Sequence, residues 1–306
     1  MSTVLQKNTA NLANVLPKDY LISSLKDLYT NGLPKGLYTG VDALDDLFRL
    51  DTSRLCTITG IPNDGKSEFV DFLTTTYNKR YGLKTLYFSP ENQPVNFHLS
   101  KLVSKFTGKH FDKSSLTEEE VKATVDYITD NFFFCNYQRV STSKQILEVS
   151  EKLIQENGVK IIVIDAFNKI ESENGLEDNL LYISKLLDTL CTFAIKEDIL
   201  IMLVAHPKKM DSGRDNQHRV PTPYDINGSA NFFNKSDFVF TVQRTRRNRD
   251  DTHVIIDVGK VKFSNYGCQG RVELDYDRES GNYFDPAGSE VAVNLNDSDF
   301  FDDEEE

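Results

Sequence analysis

The sequence lacks several features that would place it at once in a class of protein. No run of about 18 uninterrupted apolar residues occurs in its 306 residues, which excludes a membrane-spanning helix. The N-terminal stretch MSTVLQKNTANLANVLPKDY has no apolar core of the kind found in secretory signals, so we expect a cytoplasmic protein. The four cysteines lie far apart and form no CxxC pair, which argues against a structural zinc site.

Acidic residues outnumber basic ones, but they are unevenly distributed. The formal net charge is −12, which by itself argues against nucleic-acid binding. The last ten residues hold seven of the acidic side chains and no basic one. Residues 206–271, in contrast, carry twelve Lys and Arg against seven Asp and Glu. The acidic tail and the basic region are separate parts of the chain, so the total charge is a poor guide to binding partners.

Short apolar runs alternate with helical patterns through the middle of the chain. Examples are LCTITG (55–60), KTLYFS (84–89) and KIIVIDAF (160–167). Continuous apolar strands separated by helices predict an α/β fold, with a mostly parallel central sheet flanked by helices. Beyond residue 237, strand patterns follow one another without long helices, which predicts C-terminal antiparallel hairpins at a sheet edge.

Three parts are predicted along the chain. Residues 1–34 form an N-terminal segment in which Leu21, Leu25 and Leu28 mark a short amphipathic helix. Such a helix is too short to be stable alone, so its apolar stripe must dock on another surface. Residues 35–288 form the globular domain, and residues 289–306 form an acidic, disordered tail.

The stretch GIPNDGKS matches the phosphate-binding pattern G-x-x-x-x-G-K-[ST] in full. It follows a predicted strand and opens a predicted helix, which is the context that the pattern requires. We expect its backbone N–H groups to surround the phosphates of ATP, with Lys66 on the β- and γ-phosphates and Ser67 on Mg²⁺. The alternative is a glycine turn with an accidental lysine. The predicted nucleotide contacts are Gly60, Ile61, Pro62, Asn63, Asp64, Gly65, Lys66 and Ser67.

Two carboxylates complete the predicted ATP site. Asp165 ends the apolar run IIVID, where it can hold Mg²⁺ through water. Ala166 follows it, so the group that activates water must lie elsewhere. Glu91 comes just after the second strand, and parallel strands align their carboxyl ends at one edge of a sheet. We therefore predict Glu91 as the general base; the alternative is a glutamate that only stabilises the start of a helix.

Five stretches resemble one family, the DnaB-type and Twinkle-type replicative helicases, whose core is a RecA-like P-loop ATPase domain. GLYTGVDALDDL (36–47) is similar to the segment before that core, and FSPENQP (88–94) to the segment with the catalytic glutamate. VAHPKK (204–209), DINGSANFFNKSD (225–237) and GKVKFSNYGCQG (259–270) are similar to the sensor strand, the DNA-facing motif and the closing motif. Together they span nearly all of the predicted globular part.

The resemblance implies a function, cofactors and residue roles. It implies an ATP- and Mg²⁺-dependent helicase, expected as a hexameric ring, that moves 5′→3′ on single-stranded DNA and unwinds duplex in replication. His206 would sense the γ-phosphate, Arg244 would contact the nucleotide, and Lys260 and Lys262 would reach the neighbouring subunit's ATP site. The family has arginine where this chain has Lys262, and lysine lacks the planar fork of arginine. The alternatives are a buried strand-end histidine and two exposed strand lysines.

The predicted DNA contacts lie in and after a long basic loop that ends at Pro223. A loop of this length in a compact domain is usually functional or disordered. Its basic side chains could follow a phosphate backbone, and the Asn-Gly-Ser turn after it could donate hydrogen bonds to phosphates. A merely solvated loop is the alternative. The residues are Lys208, Lys209, Arg214, Arg219, Asn227, Gly228 and Ser229.

The two ends of the chain suggest binding partners. The N-terminal helix resembles the linker helix that docks on the adjacent subunit, and the domain that usually precedes it is expected to be absent. The acidic tail resembles tails of phage helicases and single-strand binding proteins, which suggests a phage-encoded protein that contacts a primase, a polymerase or a single-strand binding protein. A solubilising tail is the alternative.

Two other functions compete with a helicase. One is a RecA-like recombinase or DNA-maintenance ATPase that binds DNA without unwinding it, and the other is a nucleotide-sensing scaffold.

Overall fold

The computed structural model describes residues 15–172, 180–208, 221–226, 229–244 and 252–286. The chain divides into two compact units, Met1–Lys35 and Gly36–Glu306. In the first unit, helix α1 spans Lys18–Asn31 and every one of its residues is exposed. It starts after Pro17, whose fixed φ suits a helix start, and ends at Gly32, whose N–H donates to the Leu28 carbonyl. The predicted N-terminal helix is therefore confirmed.

The second unit contains the remaining helices and all the strands of the described residues. Its helices are α2 (Asp42–Asp45), α3 (Lys66–Tyr81), α4 (Val95–Thr107), α5 (Glu118–Asn131), α6 (Ser143–Asn157), α7 (Leu180–Glu197) and α8 (Ser229–Lys235). Its strands are β1 (Arg54–Thr59), β2 (Lys84–Phe88), β3 (Phe132–Phe134), β4 (Val159–Asp165), β5 (Leu200–Val204), β6 (Phe238–Arg244), β7 (His253–Val261), β8 (Gly270–Tyr276) and β9 (Tyr283–Phe284).

Within the described residues, all the strands belong to one sheet of order β3-β2-β4-β5-β1-β6-β7-β8-β9. The first six in this order run parallel to their neighbours. β7, β8 and β9 then extend the sheet by antiparallel pairing. The prediction of a mostly parallel sheet with C-terminal antiparallel strands is confirmed. The carboxyl ends of β2, β4, β5 and β1 lie side by side, which brings the segments after them to one edge.

Helices cover the sheet on both faces. Alternate side chains of each inner strand point to opposite faces, so each strand contributes to two cores. On β4, Ile161 and Val163 pack in a core with α3, α4 and α5, whereas Ile162 and Ile164 pack in a core with α6 and α7. Strand β5 is fully buried along its length. A strand covered on both faces reads as a continuous apolar run, which is why these strands were recognisable in the sequence.

Helix α5 was not predicted, although its start carries a recognisable signal. Thr117 accepts a hydrogen bond from the N–H of Glu120, and the Glu120 carboxylate accepts one from the N–H of Thr117. This capping box satisfies two N–H groups that a helix start leaves free. The short helices α2 and α8 and the short strand β9 also escaped prediction. No helix among the described residues is long and apolar enough to cross a membrane.

Candidate functional site

The loop of residues 60–65 joins β1 to α3 in a conformation that glycine makes accessible. Gly60 has φ 154°, and a Cβ atom there would lie 2.2 Å from the carbonyl oxygen of Val242. Gly65 has φ 95°, in the left-handed region, directly before the first residue of α3. Side chains at these two positions would be excluded by contact or strained by the backbone. The two invariant glycines of the phosphate-binding pattern therefore have a structural reason in this chain.

Lys66 is the first residue after the loop, and its side chain folds back into the loop. Its Nζ donates hydrogen bonds to the carbonyl oxygens of Gly60 at 2.9 Å and Ile61 at 3.1 Å, and only 6% of the residue is exposed. Burial lowers the pKa of Lys66, and the carboxylates of Asp165, Asp64 and Glu91 oppose that shift. The ammonium group is thus enclosed at the start of a helix, where a phosphate could take over its hydrogen bonds.

Ser67 and Asp165 are in direct contact, although 98 positions separate them in the chain. The Ser67 hydroxyl donates to Asp165 Oδ2 at 2.6 Å, and Asn92 Nδ2 donates to the same oxygen at 3.2 Å. Burial raises the pKa of Asp165 to about 6, and the hydrogen bond from Ser67 opposes the shift. Asn92 was not predicted from the sequence, although it lies within the FSPENQP stretch beside Glu91.

This pair of oxygen ligands fits Mg²⁺. The ion prefers oxygen and usually keeps water and substrate phosphates in its shell, so a hydroxyl and one carboxylate suffice. Among the described residues, no group of three or more His, Cys, Asp or Glu side chains could hold a metal ion without such help. A divalent ion bound with a nucleotide is therefore consistent with Ser67 and Asp165, whereas a cage made only of protein ligands is not.

Glu91 and His206 meet at the edge of the sheet. Glu91 Oε2 lies 3.4 Å from His206 Nε2, and Glu91 Oε1 lies 3.8 Å from Lys169 Nζ. Burial lowers the pKa of His206, as does the nearby Lys66, while Glu91 opposes the shift. His206 Nδ1 is buried without a hydrogen-bond partner among the described residues. Lys169 was missed because nothing in the sequence indicates that the turn after β4 faces Glu91.

Lys260 and Lys262 lie far from this cluster within one chain. Lys260 Nζ donates to the carbonyl oxygens of Phe233 at 2.5 Å and Asn234 at 3.1 Å. Lys262 Nζ lies 2.8 Å from Asp237 Oδ1, and Asp237 Oδ2 accepts from the N–H of Leu55. Leu55 is near the amino end of β1, whereas the phosphate loop leaves its carboxyl end, about 16 Å away at the rise of a strand.

Arg244 is the last residue of β6 and packs against an aromatic ring. Its Cζ lies 5.8 Å from the centre of the Tyr276 ring, and the Tyr276 hydroxyl lies 3.4 Å from Glu68 Oε2. Burial would raise the pKa of Glu68, but Lys105 and Lys101 lower it to about 2. Glu68 directly follows Ser67, so Arg244 approaches the start of α3 from the side of the antiparallel strands.

Most of the predicted DNA contacts fall outside the described residues. Lys208 is described, and its N–H donates to the carbonyl of Asp225 at 2.7 Å, next to a bridge between Pro207 and Ile226. Ser229 is the first residue of α8, and its side chain is not described. Lys209, Arg214, Arg219, Asn227 and Gly228 lie outside the described residues, as does the predicted acidic tail.

The sequence of residues 36–285 matches the family model described as the DnaB-like helicase C terminal domain. The chain belongs to this family. Among curated proteins it is similar to the Twinkle homolog protein, chloroplastic/mitochondrial, of Arabidopsis thaliana, at 30% identity over 271 residues. That alignment covers 84% of the chain but 37% of the relative, so the chain spans little more than a third of the relative's length.

Solved structures share the fold of this chain. The ATPase domain of G40P aligns with a TM-score of 0.71 at 16% identity, over 87% of this chain and 97% of that one. A DnaB-like replicative helicase, described together with its interactions with primase, aligns with a TM-score of 0.68 at 16% identity. The second alignment covers 88% of this chain and 67% of that one. The RecA-like ATPase fold is therefore confirmed for the DnaB-like domain.

Proposed function

We propose that this DnaB-like chain is an ATP-driven motor that moves along single-stranded DNA and unwinds duplex during replication. One observation carries the proposal. Glu91, which follows β2, lies within 3.4 Å of His206, which follows β5, at the same sheet edge as Lys66, Ser67 and Asp165. A carboxylate next to a strand-end imidazole and beside a phosphate loop is suited to couple hydrolysis to movement of the loop that follows the histidine.

In this proposal each group has one task. Lys66 and the backbone of the phosphate loop bind the phosphates of ATP, and Ser67 and Asp165 hold Mg²⁺, which supplies charge neutralisation at the phosphates. Glu91 orients the attacking water and accepts its proton. His206 hydrogen-bonds the γ-phosphate through a ring N–H, and loss of the phosphate shifts the segment after Pro207. Arg244 contacts the nucleotide beside Tyr276.

The proposed assembly is a ring, with ATP bound between adjacent subunits. Lys262 lies near the amino end of β1, at the far end of the strand from its own phosphate loop. Lys260 lies level with Thr57 in the middle of β1, and its ammonium is bonded to carbonyl oxygens of α8. Both ammonium groups are held away from their own phosphate loop, which supports the proposed trans role. Positive charges supplied from a second subunit can raise phosphoryl-transfer rates by about 10³–10⁵. A hexamer with 5′→3′ polarity is the specific form that we propose.

The proposed binding partners extend from this motor. Single-stranded DNA would contact Lys208, Lys209, Arg214 and Arg219, and the turn of Asn227, Gly228 and Ser229 would donate to phosphates. A primase, a polymerase or a single-strand binding protein would bind the acidic tail. We propose a cytoplasmic location, in the host cell if a phage encodes the chain.

Steady-state ATP hydrolysis, with and without an oligonucleotide, tests the chemical part of the proposal. We expect DNA-stimulated turnover in the wild-type chain and a loss of at least about a hundredfold in Glu91→Gln, because a general base contributes about 10²–10⁴. Glu119→Gln, on the exposed start of α5, is the matched control and should keep the wild-type rate. Full turnover in Glu91→Gln would show that another group activates the water.

Unwinding of forked DNA tests the motor itself. We expect strand separation on a substrate with a 5′ tail and closed rings with ATP in electron micrographs. Filaments on DNA, with DNA-stimulated hydrolysis but no unwinding, would favour a recombinase or a DNA-maintenance ATPase instead. Nucleotide binding without turnover would favour a scaffold.

A further inference from the structure

Two buried polar side chains connect the phosphate-loop helix with the helix that follows Glu91. Asp71 lies in α3, one helical turn after Ser67, and is 1% exposed. His98 lies in the first turn of α4 and is 2% exposed. His98 Nε2 lies 2.9 Å from Asp71 Oδ1. A hydrogen bond between two enclosed polar groups is costly to leave unmade, so it fixes the distance between the two helices at this point.

The histidine ring is also held by aromatic neighbours. It packs edge-on against Tyr87, with ring centres 4.7 Å apart, and against Phe134, with centres 5.4 Å apart. The Tyr87 hydroxyl is within 2.6 Å of the hydroxyl of Thr74, on the next turn of α3. The position of His98 is therefore determined on several sides, by α3, β2 and β3.

The segment with Glu91 connects β2 to α4. It leaves the sheet after Phe88, the last residue of β2, and ends at Val95, where α4 begins. Its side chains form further bonds, since Asn92 donates to Ser89 Oγ at 2.8 Å and to Asp165. Among the described residues, the ion-pair contacts of Glu91 itself are the longer ones to His206 and Lys169. The start of α4 is thus one of the points that hold the Glu91 segment, together with the bonds of Asn92.

We propose that His98 is a positioning residue for ATP hydrolysis, which acts by anchoring the start of α4 to Asp71 and thereby setting the distance from Glu91 to the bound nucleotide. The inference rests on the proposed role of Glu91 as the base. His98 does not touch the phosphate loop, so its loss should affect the chemical step rather than nucleotide binding. A displacement of about 1 Å at a catalytic group can cost about a hundredfold in rate.

The test compares His98→Leu, which fills the space but removes the N–H, with His98→Gln, which retains a side-chain N–H of similar reach. ATP hydrolysis gives kcat, a fluorescent nucleotide titration gives Kd, and thermal unfolding reports the fold. We expect kcat to fall about tenfold or more in His98→Leu, with Kd changed less than about twofold, and kcat to recover substantially in His98→Gln. His110→Leu, at an exposed histidine, is the control and should leave both constants unchanged.

A second variant separates positioning from simple loss of stability. Asp71→Leu combined with His98→Leu removes both partners and leaves no buried carboxylate without a hydrogen bond, so it should unfold at a higher temperature than His98→Leu. Its kcat should remain low, because the anchor is still missing. Wild-type kcat in this folded double variant would overturn the inference. Nucleotide affinity that falls in step with kcat would overturn it too, because the phosphate loop itself would then be distorted.

Glu91→Gln, measured in parallel, separates this inference from the proposed function. Turnover retained in Glu91→Gln refutes the assignment of the base, and with it any role of His98 through Glu91. Turnover lost in Glu91→Gln but retained in His98→Leu refutes the positioning role alone.

Discussion

Lys79 lies outside the ATP site, and its environment lowers the pKa of its side chain. Its ammonium donates to the carbonyl oxygen of Lys105 at 2.8 Å and lies 5.2 Å from the centre of the Phe106 ring. Burial lowers the pKa of Lys79 to about 8, and the charge of Lys105 adds to the shift. An unfolded chain holds this proton to about pH 10.4, so folding costs free energy at neutral pH wherever the group is charged.

We therefore expect Lys79→Met to raise the free energy of unfolding at pH 7 by about 1–2 kcal/mol. The shift of about two pKa units corresponds to about 3 kcal/mol, from which the lost hydrogen bond takes about 1 kcal/mol. As the pH rises from 8 to 10, the folded wild-type chain loses this proton before the unfolded chain does, so the wild-type stability rises and the advantage of the variant should shrink. Denaturant unfolding at several pH values measures this difference.

The control for this prediction is Lys152→Met, at a lysine that is 70% exposed in its side chain. Its stability relative to the wild type should not change over the same pH range. A Lys79→Met advantage that is constant from pH 7 to pH 10 would mean that packing, and not the proton, explains it.

Single residues of the ATP site were predictable when a local pattern or a strand end marked them. Lys66 and Ser67 lie in a contiguous motif, and Asp165 ends an obvious apolar strand. Asn92 and Lys169 were not predictable, because their relevance depends on contacts with residues far away in the chain. The contacts of Lys262 and Asp237 were likewise missed, since they depend on the pairing of β6 with β7 and β1.

At the scale of elements, α1 carries an apolar stripe that the described part of its own unit leaves exposed. Leu25 is 68% exposed and Leu21 is 50% exposed. The proposal that this stripe docks on an adjacent subunit predicts that Leu25→Asp weakens assembly, because a buried carboxylate without a partner is costly. We expect fewer rings with ATP in native mass spectrometry and a lower DNA-stimulated rate. The unfolding temperature of the dissociated chain should change little.

Ser23→Asp is the matched control for α1, because it adds the same charge on the opposite side of the helix. Two residues along a helix correspond to a rotation of about 200°. Assembly should be unchanged in this variant. Equal losses in both variants would indicate that charge on α1, rather than its apolar stripe, controls assembly.

The elements with strong apolar patterns were predicted almost to the residue. The helix predicted to open at the phosphate-binding pattern is observed at Lys66–Tyr81, because the pattern fixes its start and Gly82 its end. Helix α5 was missed because most of its residues are polar or only partly buried, with Ile128 the fully buried exception. Its capping box, Thr117 with Glu120, was the available signal.

At the scale of the whole molecule, the central question is whether two copies share one ATP site. Glu91→Gln and Lys262→Ala should each have little activity alone, and mixing them before assembly should restore part of it. A site formed by the phosphate loop of a Lys262→Ala subunit and the lysine of a Glu91→Gln subunit is complete. With random mixing of equal amounts, about a quarter of the interfaces have this arrangement in a head-to-tail ring. ATP hydrolysis over a series of mixing ratios measures the recovery.

The control mixture replaces the Glu91→Gln subunit with one that carries both substitutions, so no interface is complete. It should remain inactive at every ratio. No recovery in the first mixture, from subunits that do form mixed rings, would mean that Lys262 acts within its own subunit or only stabilises the fold.

The phosphate loop and Lys262 lie at opposite ends of β1, and this determines how many ATP sites are complete in an assembly. Two copies that meet by such unlike surfaces do not close on each other, and further copies add in the same direction. An open row would always leave one nucleotide without its lysine and one lysine without its nucleotide. Only when the last copy meets the first would every bound ATP have a lysine from a neighbouring copy. Closing the ring would therefore complete the last ATP site.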